Sequence, residues 1–258
     1  MPCIRVKNVV RRSNAVLSEL VARLARHGLN LVGTASPDDY DVGVPTPHAL
    51  RALLPEARAA VVIGNGGGAF WGTFRTFCAM HPGWEDQRDP LDAYTQRVVE
   101  AAAAPAVAAL GGRVRFLYPF RFPDDPVSFM RLAACAGLGR PSLVGVLVHP
   151  TYGPWIAFRA AILVPEPFAL PRPTDGFDPC PTCVERTCVA ACPAHAVGPG
   201  GWDIPTCAAS RARADDPCAA RCHARFECVL GRAHRYPADA LAYHQNRARP
   251  TLGRFGSR

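Results

Sequence analysis

The sequence predicts an α+β chain in two parts: a layered domain over residues 1–170, then a small cysteine-held module over residues 171–258. Three observations carry this reading. Helical stripes alternate with short apolar strands through the first two thirds of the chain. A Pro-rich stretch, residues 165–181, then reads as a linker. Beyond it, eight of the eleven cysteines fall between Cys180 and Cys228.

Within the first part, Leu17, Leu20, Val21 and Leu24 repeat at three and four, so residues 13–26 read as a helix that Ser13 caps and Gly28 ends. Leu29 to Gly33 reads as a short strand, and a helical turn over Leu50 to Leu54 leads into a buried strand, Ala59 to Ile63. Gly64-Asn65-Gly66-Gly67-Gly68 comes next as a turn or a ligand loop; it lacks the Lys-Ser/Thr of a phosphate-binding loop and the spacing of a dinucleotide fingerprint. Asp89 as cap and Pro90 at the first position open a helix that Pro105 is expected to kink or stop. Val114 to Tyr118 reads as a strand, and Pro126 opens a helix through Phe129, Leu132 and Ala133 to the stop at Gly137. Leu143 to Val148 and Trp155 to Val164, joined by the turn-rich His149 to Pro154, read as an antiparallel hairpin.

A chain of 258 residues with 49% hydrophobic content is long enough for one substantial core and a smaller module. Its net charge of +8 favours an anionic partner: a nucleic acid, an acidic electron donor or a phosphate-bearing cofactor. No apolar run is long enough to span a membrane, since Pro105 breaks the Ala-rich stretch over residues 101–110. Arg11-Arg12 is not succeeded by the apolar region of an export signal, because Glu19, Arg23 and Arg26 occupy it, so the expected location is the cytoplasm. The basic residues after Cys228, among them Arg232, His234, Arg235, Arg247, Arg249, Arg254 and Arg258, read as a solvated surface around a short helix, residues 237–245, or as a docking face for an anionic partner.

The module opens C-x2-C-x4-C-x3-C-P with Cys180, Cys183, Cys188, Cys192 and Pro193, and continues with Cys207, Cys218, Cys222 and Cys228. Eight thiolates suit two 4Fe-4S clusters. In the bacterial ferredoxin run the fourth Cys serves the other cluster. That logic groups Cys180, Cys183 and Cys188 with distant Cys228, and leaves Cys192, Cys207, Cys218 and Cys222 as the second set. Zinc also takes paired cysteines, but a Cys with Pro directly after it at this spacing is the ferredoxin habit. A disulfide framework belongs to short secreted chains. Cys3, Cys78 and Cys135 stand alone and read as free buried thiols.

The run from Leu143 through Gly145, His149-Pro150, Gly153, Trp155 and Arg159 to Pro165 resembles the corrinoid-cradling hairpin of the cobalamin-processing proteins of the cblC type, which have a nitroreductase-like (flavin-reductase-like) fold. A second resemblance covers more of the chain. Leu31-Val32-Gly33, then Ala133 to Gly139, then the cysteine module are similar in order and spacing to epoxyqueuosine reductase and the reductive dehalogenases, which place a corrinoid domain before two 4Fe-4S clusters. The resemblance implies a nitroreductase-like domain and, after it, a dicluster ferredoxin-like module. It also implies an oxidoreductase that passes electrons through the clusters to a cobalamin. Asp203 and Cys207 match the Asp and lone Cys of epoxyqueuosine reductase at the second cluster. Asp124 and Asp125 lie where its catalytic acid is sought, but ungapped counting lands on Pro123, so that role is not carried over. The chain also leaves no room for the tRNA-gripping repeat domain of that family.

The implied corrinoid site comprises Gly137, Gly145, His149, Pro150, Gly153, Trp155 and Arg159. The glycines would let a flat macrocycle approach and Arg159 would meet an anionic group. His149 could ligate cobalt or wall the pocket. Read without the resemblance, Gly145 serves strand packing, Trp155 and Phe158 are core, and Arg159 is an exposed strand residue. The implied partners are a small-molecule corrinoid and a reduced ferredoxin or flavodoxin as electron donor, with no membrane and no nucleic acid expected. The rival functions are a plain electron-transfer ferredoxin without corrinoid and a tRNA-modifying reductase of the epoxyqueuosine reductase type.

Overall fold

The computed structural model describes residues 15–253. Cys3, Arg11, Arg12, the expected cap Ser13, Arg254 and Arg258 lie outside the described residues. The chain divides into two compact units: the first runs to Leu138 and resumes over Ala157–Arg172, and the second takes Gly139–Ile156 and Pro173 onward.

The first unit is a mixed α+β body. Helix α1 covers residues 15–25. Strand β1 (Leu31–Ala35), helices α2 (Pro37–Asp41) and α3 (Leu50–Leu53), and strand β2 (Ala59–Gly66) come after it. Next are α4 (Ala69–Met80), α5 (Pro90–Leu110), β3 (Arg115–Leu117), α6 (Phe129–Cys135) and β6 (Ile156–Val164); the second unit interrupts the chain before β6 with β4 (Arg140–Pro141) and β5 (Leu147–Val148). The sheet order is β1-β2-β6-β3, with β1 antiparallel to β2 and β3 antiparallel to β6.

Every residue of β2 is buried, as its unbroken apolar run requires of a central strand covered on both faces. On one face, Leu17 and Leu20 of α1 and Ala103 and Val107 of α5 close on Val61 and Ile162, leaving a gap of only about 10 Å³. On the other, Gly33, paired with Val62, lies so close to the C-terminal end of α6 and its closing turn that a Cβ would stand 2.8 Å from Ala136 O and Leu138 Cγ. Each fully buried Leu or Ile in these layers contributes roughly 1.5–3 kcal/mol.

Two expectations are corrected here, and one helix is added. The glycine run is no independent loop. Strand β2 continues through Gly66, held because Asn30 both donates to Gly66 O and accepts from Gly66 N, and only Gly67 turns, at φ +69°, before α4 starts. Helix α4 is absent from the sequence reading, although Phe70, Phe74 and Cys78 mark its buried stripe; Phe70 and Phe74 pack on Tyr94 of α5 with ring centroids 5.6 and 5.5 Å apart. Helix α5 runs through Pro105 to Leu110. Pro105 and Ala101 are both exposed, so the carbonyl that Pro105 deprives of a donor is within reach of water, while buried Val98, Val99, Ala102 and Ala103 hold the axis.

In the second unit the expected hairpin does not form as a ladder. Residues 143–146 are turn, not strand: Gly145 N donates to Ser142 O, Ser142 Oγ donates to Val146 O, and Gly145 takes φ +76°. Strand β5 therefore folds back on β4, and of the hairpin only the His149–Gly153 bridge remains. The rest is α7 (Thr187–Ala190), a β7–β8 pair (Val197–Gly198 with Gly201–Trp202), α8 (Ile204–Arg211), α9 (His223–Phe226) and α10 (Ala238–Gly253), which extends the expected residues 237–245 through Pro250. Cys192, Ala196, Val197 and Ala224 form one buried cluster of this unit.

Asp125 holds the end of β3. Its carboxylate, only 5% exposed, accepts from buried Tyr118 N at 2.9 Å and pairs with Arg115 at 3.4 Å. Asp125→Ala leaves the Tyr118 N–H without an acceptor, whereas Arg115, more than a third exposed, rehydrates at little cost. The expected loss is about 1–3 kcal/mol. It should appear as a lower urea midpoint at an unchanged slope.

Candidate functional site

The eight module cysteines stand in two groups, all in the second unit. Cys180, Cys183, Cys188 and Cys228 line a cavity of about 170 Å³. The turn Cys183 N to Cys180 O shapes its entry, and Thr187 Oγ donates to Glu227 O, tying α7 to the segment that carries Cys228. Cys192, Cys207, Cys218 and Cys222 line a larger, mostly apolar cavity of about 440 Å³ together with Trp202 and Arg211. Helix α8 supplies Cys207. Its N-cap is Asp203, whose carboxylate accepts from Thr206 N at 3.0 Å and from Thr206 Oγ at 2.7 Å and is thereby held below the ordinary carboxylate range.

All ten described cysteines are free. Burial pushes the thiols of Cys188, Cys228, Cys207 and Cys218 up, and neighbouring thiolates push them further: Cys228 and Cys180 act on Cys188, Cys222 and Cys192 on Cys207. These couplings stay within each group of four. Among the described residues, no three His, Cys, Asp or Glu side chains are placed to hold a single metal ion. The thiols surround volumes instead of converging on points. Cys78 and Cys135 lie on α4 and α6 in the first unit.

The seven residues of the implied corrinoid site fall in both units. In the first, Gly137 ends α6 at φ +69°, and a Cβ there would stand 2.6 Å from Arg172 Cβ. Arg159 Nε donates to buried Asn65 at 2.9 Å, and its guanidinium lies over the Phe70 ring, so it is a tethered strand residue and not a free exposed one. In the second, a Cβ on Gly145 would meet the Trp202 ring at 2.2 Å, and one on Gly153 would meet Leu230 O at 2.4 Å. Local packing and positive φ thus account for both glycines without a macrocycle. His149 is buried, and its Nδ1 accepts from Thr151 N at 3.1 Å and Tyr152 N at 3.4 Å, so the ring caps its own turn; Pro150 is exposed beside it. Trp155 is fully buried against Phe226 and Tyr236. Arg225 donates to Pro154 O and lies over the Trp155 ring at 4.9 Å, yet Trp155 Nε1 has no hydrogen-bond partner among the described residues.

The sequence reading missed Arg211, Asp216 and Arg225. Arg211 had a signal, since it stands four residues after Cys207 on one helix face. Nothing in the spacing marks the other two.

No known protein-family pattern matches the sequence, and no protein of curated function matches it. Solved structures do share its fold. Epoxyqueuosine reductase from Streptococcus thermophilus is 13% identical with a TM-score of 0.58, over 85% of this chain and 67% of that one. The B12-trafficking protein CblC of C. elegans is 16% identical with a TM-score of 0.50, over 62% of this chain and 72% of that one. A reductive dehalogenase, described with a mechanism for B12-dependent dehalogenation, is 18% identical with a TM-score of 0.51; it matches 92% of this chain, which spans about a third of that protein. The neighbours are thus the three groups that the sequence motifs resemble, and the likeness is one of fold. Among the described residues no helix is long and apolar enough to cross a membrane.

Burial holds the His149 imidazole below its ordinary value of 6.5. The folded ring resists a proton that the unfolded chain accepts, so as pH falls below about 6.5 the unfolded state binds more protons and stability declines. NMR titration should show His149 protonating below that value. A His149→Gln protein should lose stability less steeply between pH 7 and pH 5 than the parent.

Proposed function

We propose that the protein is an iron-sulfur oxidoreductase of the corrinoid-associated type, with two 4Fe-4S clusters in the second unit. The observation that carries this is the pair of cavities, each walled by four free thiols. Four neighbouring thiols could be held together as thiolates, the form that ligates metal, only with positive charge among them. Thiols that surround a volume fit a cluster better than a single zinc ion. Cys180, Cys183, Cys188 and Cys228 would hold one cluster, and Cys192, Cys207, Cys218 and Cys222 the other. Such clusters supply single-electron transfer. Around the second, apolar Trp202 and Val197 keep water out, and Asp203 fixes the helix that presents Cys207. In this reading the first unit is a nitroreductase-like layered domain, and the second contains a ferredoxin-like module.

For the corrinoid, likeness to a B12-trafficking protein and to a dehalogenase with B12-dependent chemistry supports the class. One local feature of the chain fits it as well: Trp155 Nε1 is a buried donor without an acceptor among the described residues, the kind of group a bound polar ligand satisfies. Trp155 is the residue we propose toward it. A corrinoid would supply reductive chemistry at cobalt. A reduced ferredoxin or flavodoxin is the proposed donor, since the chain is basic.

Anaerobic reconstitution should give about eight irons per chain with little zinc. Cys228→Ser and Cys222→Ser should each fall to about four. Cys78→Ser and Cys135→Ser should keep the full count. An iron count that ignores Cys222 and Cys228 would overturn the assignment.

Addition of hydroxocobalamin to the reconstituted protein should shift the cobalamin spectrum and quench Trp fluorescence, with the quenching reduced in Trp155→Phe. No spectral change at any concentration would leave an electron-transfer ferredoxin as the better reading.

A further inference from the structure

An ion pair that the cluster reading does not use sits at the wall of the larger cavity. Arg211 ends α8, four residues after Cys207, and lines the cavity; it is 5% exposed. Its Nε meets Asp216 Oδ2 at 3.4 Å, where the two side chains are 7% and 2% exposed. One of its terminal nitrogens donates to Gln245 O of α10 at 2.9 Å. The other oxygen of Asp216 accepts from Cys218 N at 2.8 Å. This single pair therefore joins three segments: the helix that carries Cys207, the turn that carries Cys218, and α10, whose Gln245, Ala248 and Leu252 also line the cavity. A buried ion pair is rarely the best way to stabilise a small core, since desolvating the two charges offsets most of their attraction. Its value here is placement, because a guanidinium has a fixed fork and a carboxylate has two oxygens to divide.

We propose that Arg211 and Asp216 are positioning residues for the second thiol set, and that they set the charge its occupant meets. The charge role rests on the cluster reading above; the placement role does not. Arg211 faces the cavity and Asp216 does not line it, so the wall carries a positive end backed by a negative one. A cluster gains one negative charge on reduction, and a positive wall favours the reduced form. Removing the charge of Asp216 leaves the wall more positive, and removing that of Arg211 leaves it more negative.

The experiment compares Asp216→Asn, Arg211→Gln, Arg211→Lys and Asp216→Ala with the parent chain. In reconstituted protein, EPR-monitored redox titration should show one midpoint rising in Asp216→Asn and falling in Arg211→Gln, with Arg211→Lys near the parent and the other midpoint unmoved throughout. In Asp216→Ala, which also removes the acceptor of Cys218 N, iron should fall from about eight to about four per chain. In metal-free protein the Cys218 thiol of Asp216→Ala should label faster than in the parent, while Cys180 labels at the parental rate, which also reports that the rest of the unit is folded. Midpoints that stay fixed, or that move the same way in Asp216→Asn and Arg211→Gln, overturn the charge role. Unchanged Cys218 labelling overturns the placement role. A parent chain that takes up no iron overturns the cluster reading and the charge role with it, and labelling alone then decides placement.

Discussion

Bringing four thiols into one cavity is the constraint on which the second unit is built. Each cysteine pushed from water is harder to ionise, and each neighbour that does ionise makes it harder still. Besides the buried cluster of Cys192, Ala196, Val197 and Ala224 the unit buries Trp155, Tyr236 and Leu241 and has the longer helices α8 and α10, but its strand pairs are two residues long and α7 and α9 have four residues each. Elements of that size do not stand alone in water. The order of the two groups along the chain matters as well. Cys192 through Cys222 all lie inside the loop that Cys188 and Cys228 close, so ordering the outer group shortens the search for the inner one.

The grouping of the cysteines is readable because it depends on spacing, which the sequence states directly. Central strand β2 and helix α1 are readable for the same reason, since apolar period and length are local properties. The failures are also physical. Gly64 to Gly68 reads as a break because glycine is permissive; in the fold three of its members, Gly64, Asn65 and Gly66, extend a strand, and Gly64 is needed because Ala157 O lies 2.6 Å from where its Cβ would be. Pro105 reads as a helix stop because its lost hydrogen bond is local, while the packing of Val98, Val99, Ala102 and Ala103 that overrides it is not. The run 143–148 has strand composition, but Gly145 at positive φ and the Ser142 bonds turn it back before a ladder can form.

The same distinction separates the residues of the implied corrinoid site. Gly145 and Gly153 match a motif, and the match alone cannot say whether a ligand or the chain itself requires the missing side chain. Trp202 and the Leu230 backbone answer for both. His149 is spent on its own turn. Arg159 holds Asn65, and so braces the end of β2 whatever else it does.

Trp155 stands apart from these because its surroundings satisfy everything except its one polar atom. Phe226 and Tyr236 pack its ring, Arg225 covers a face and at the same time fixes the flanking Pro154 carbonyl, and the residue is fully buried. A buried N–H without an acceptor costs about 1–3 kcal/mol. A phenylalanine would fill much of the same space without that cost, although indole is the better face for Arg225. Among the described residues no acceptor faces the nitrogen, which makes Trp155 the residue of the implied corrinoid site whose polar atom the packing leaves unused.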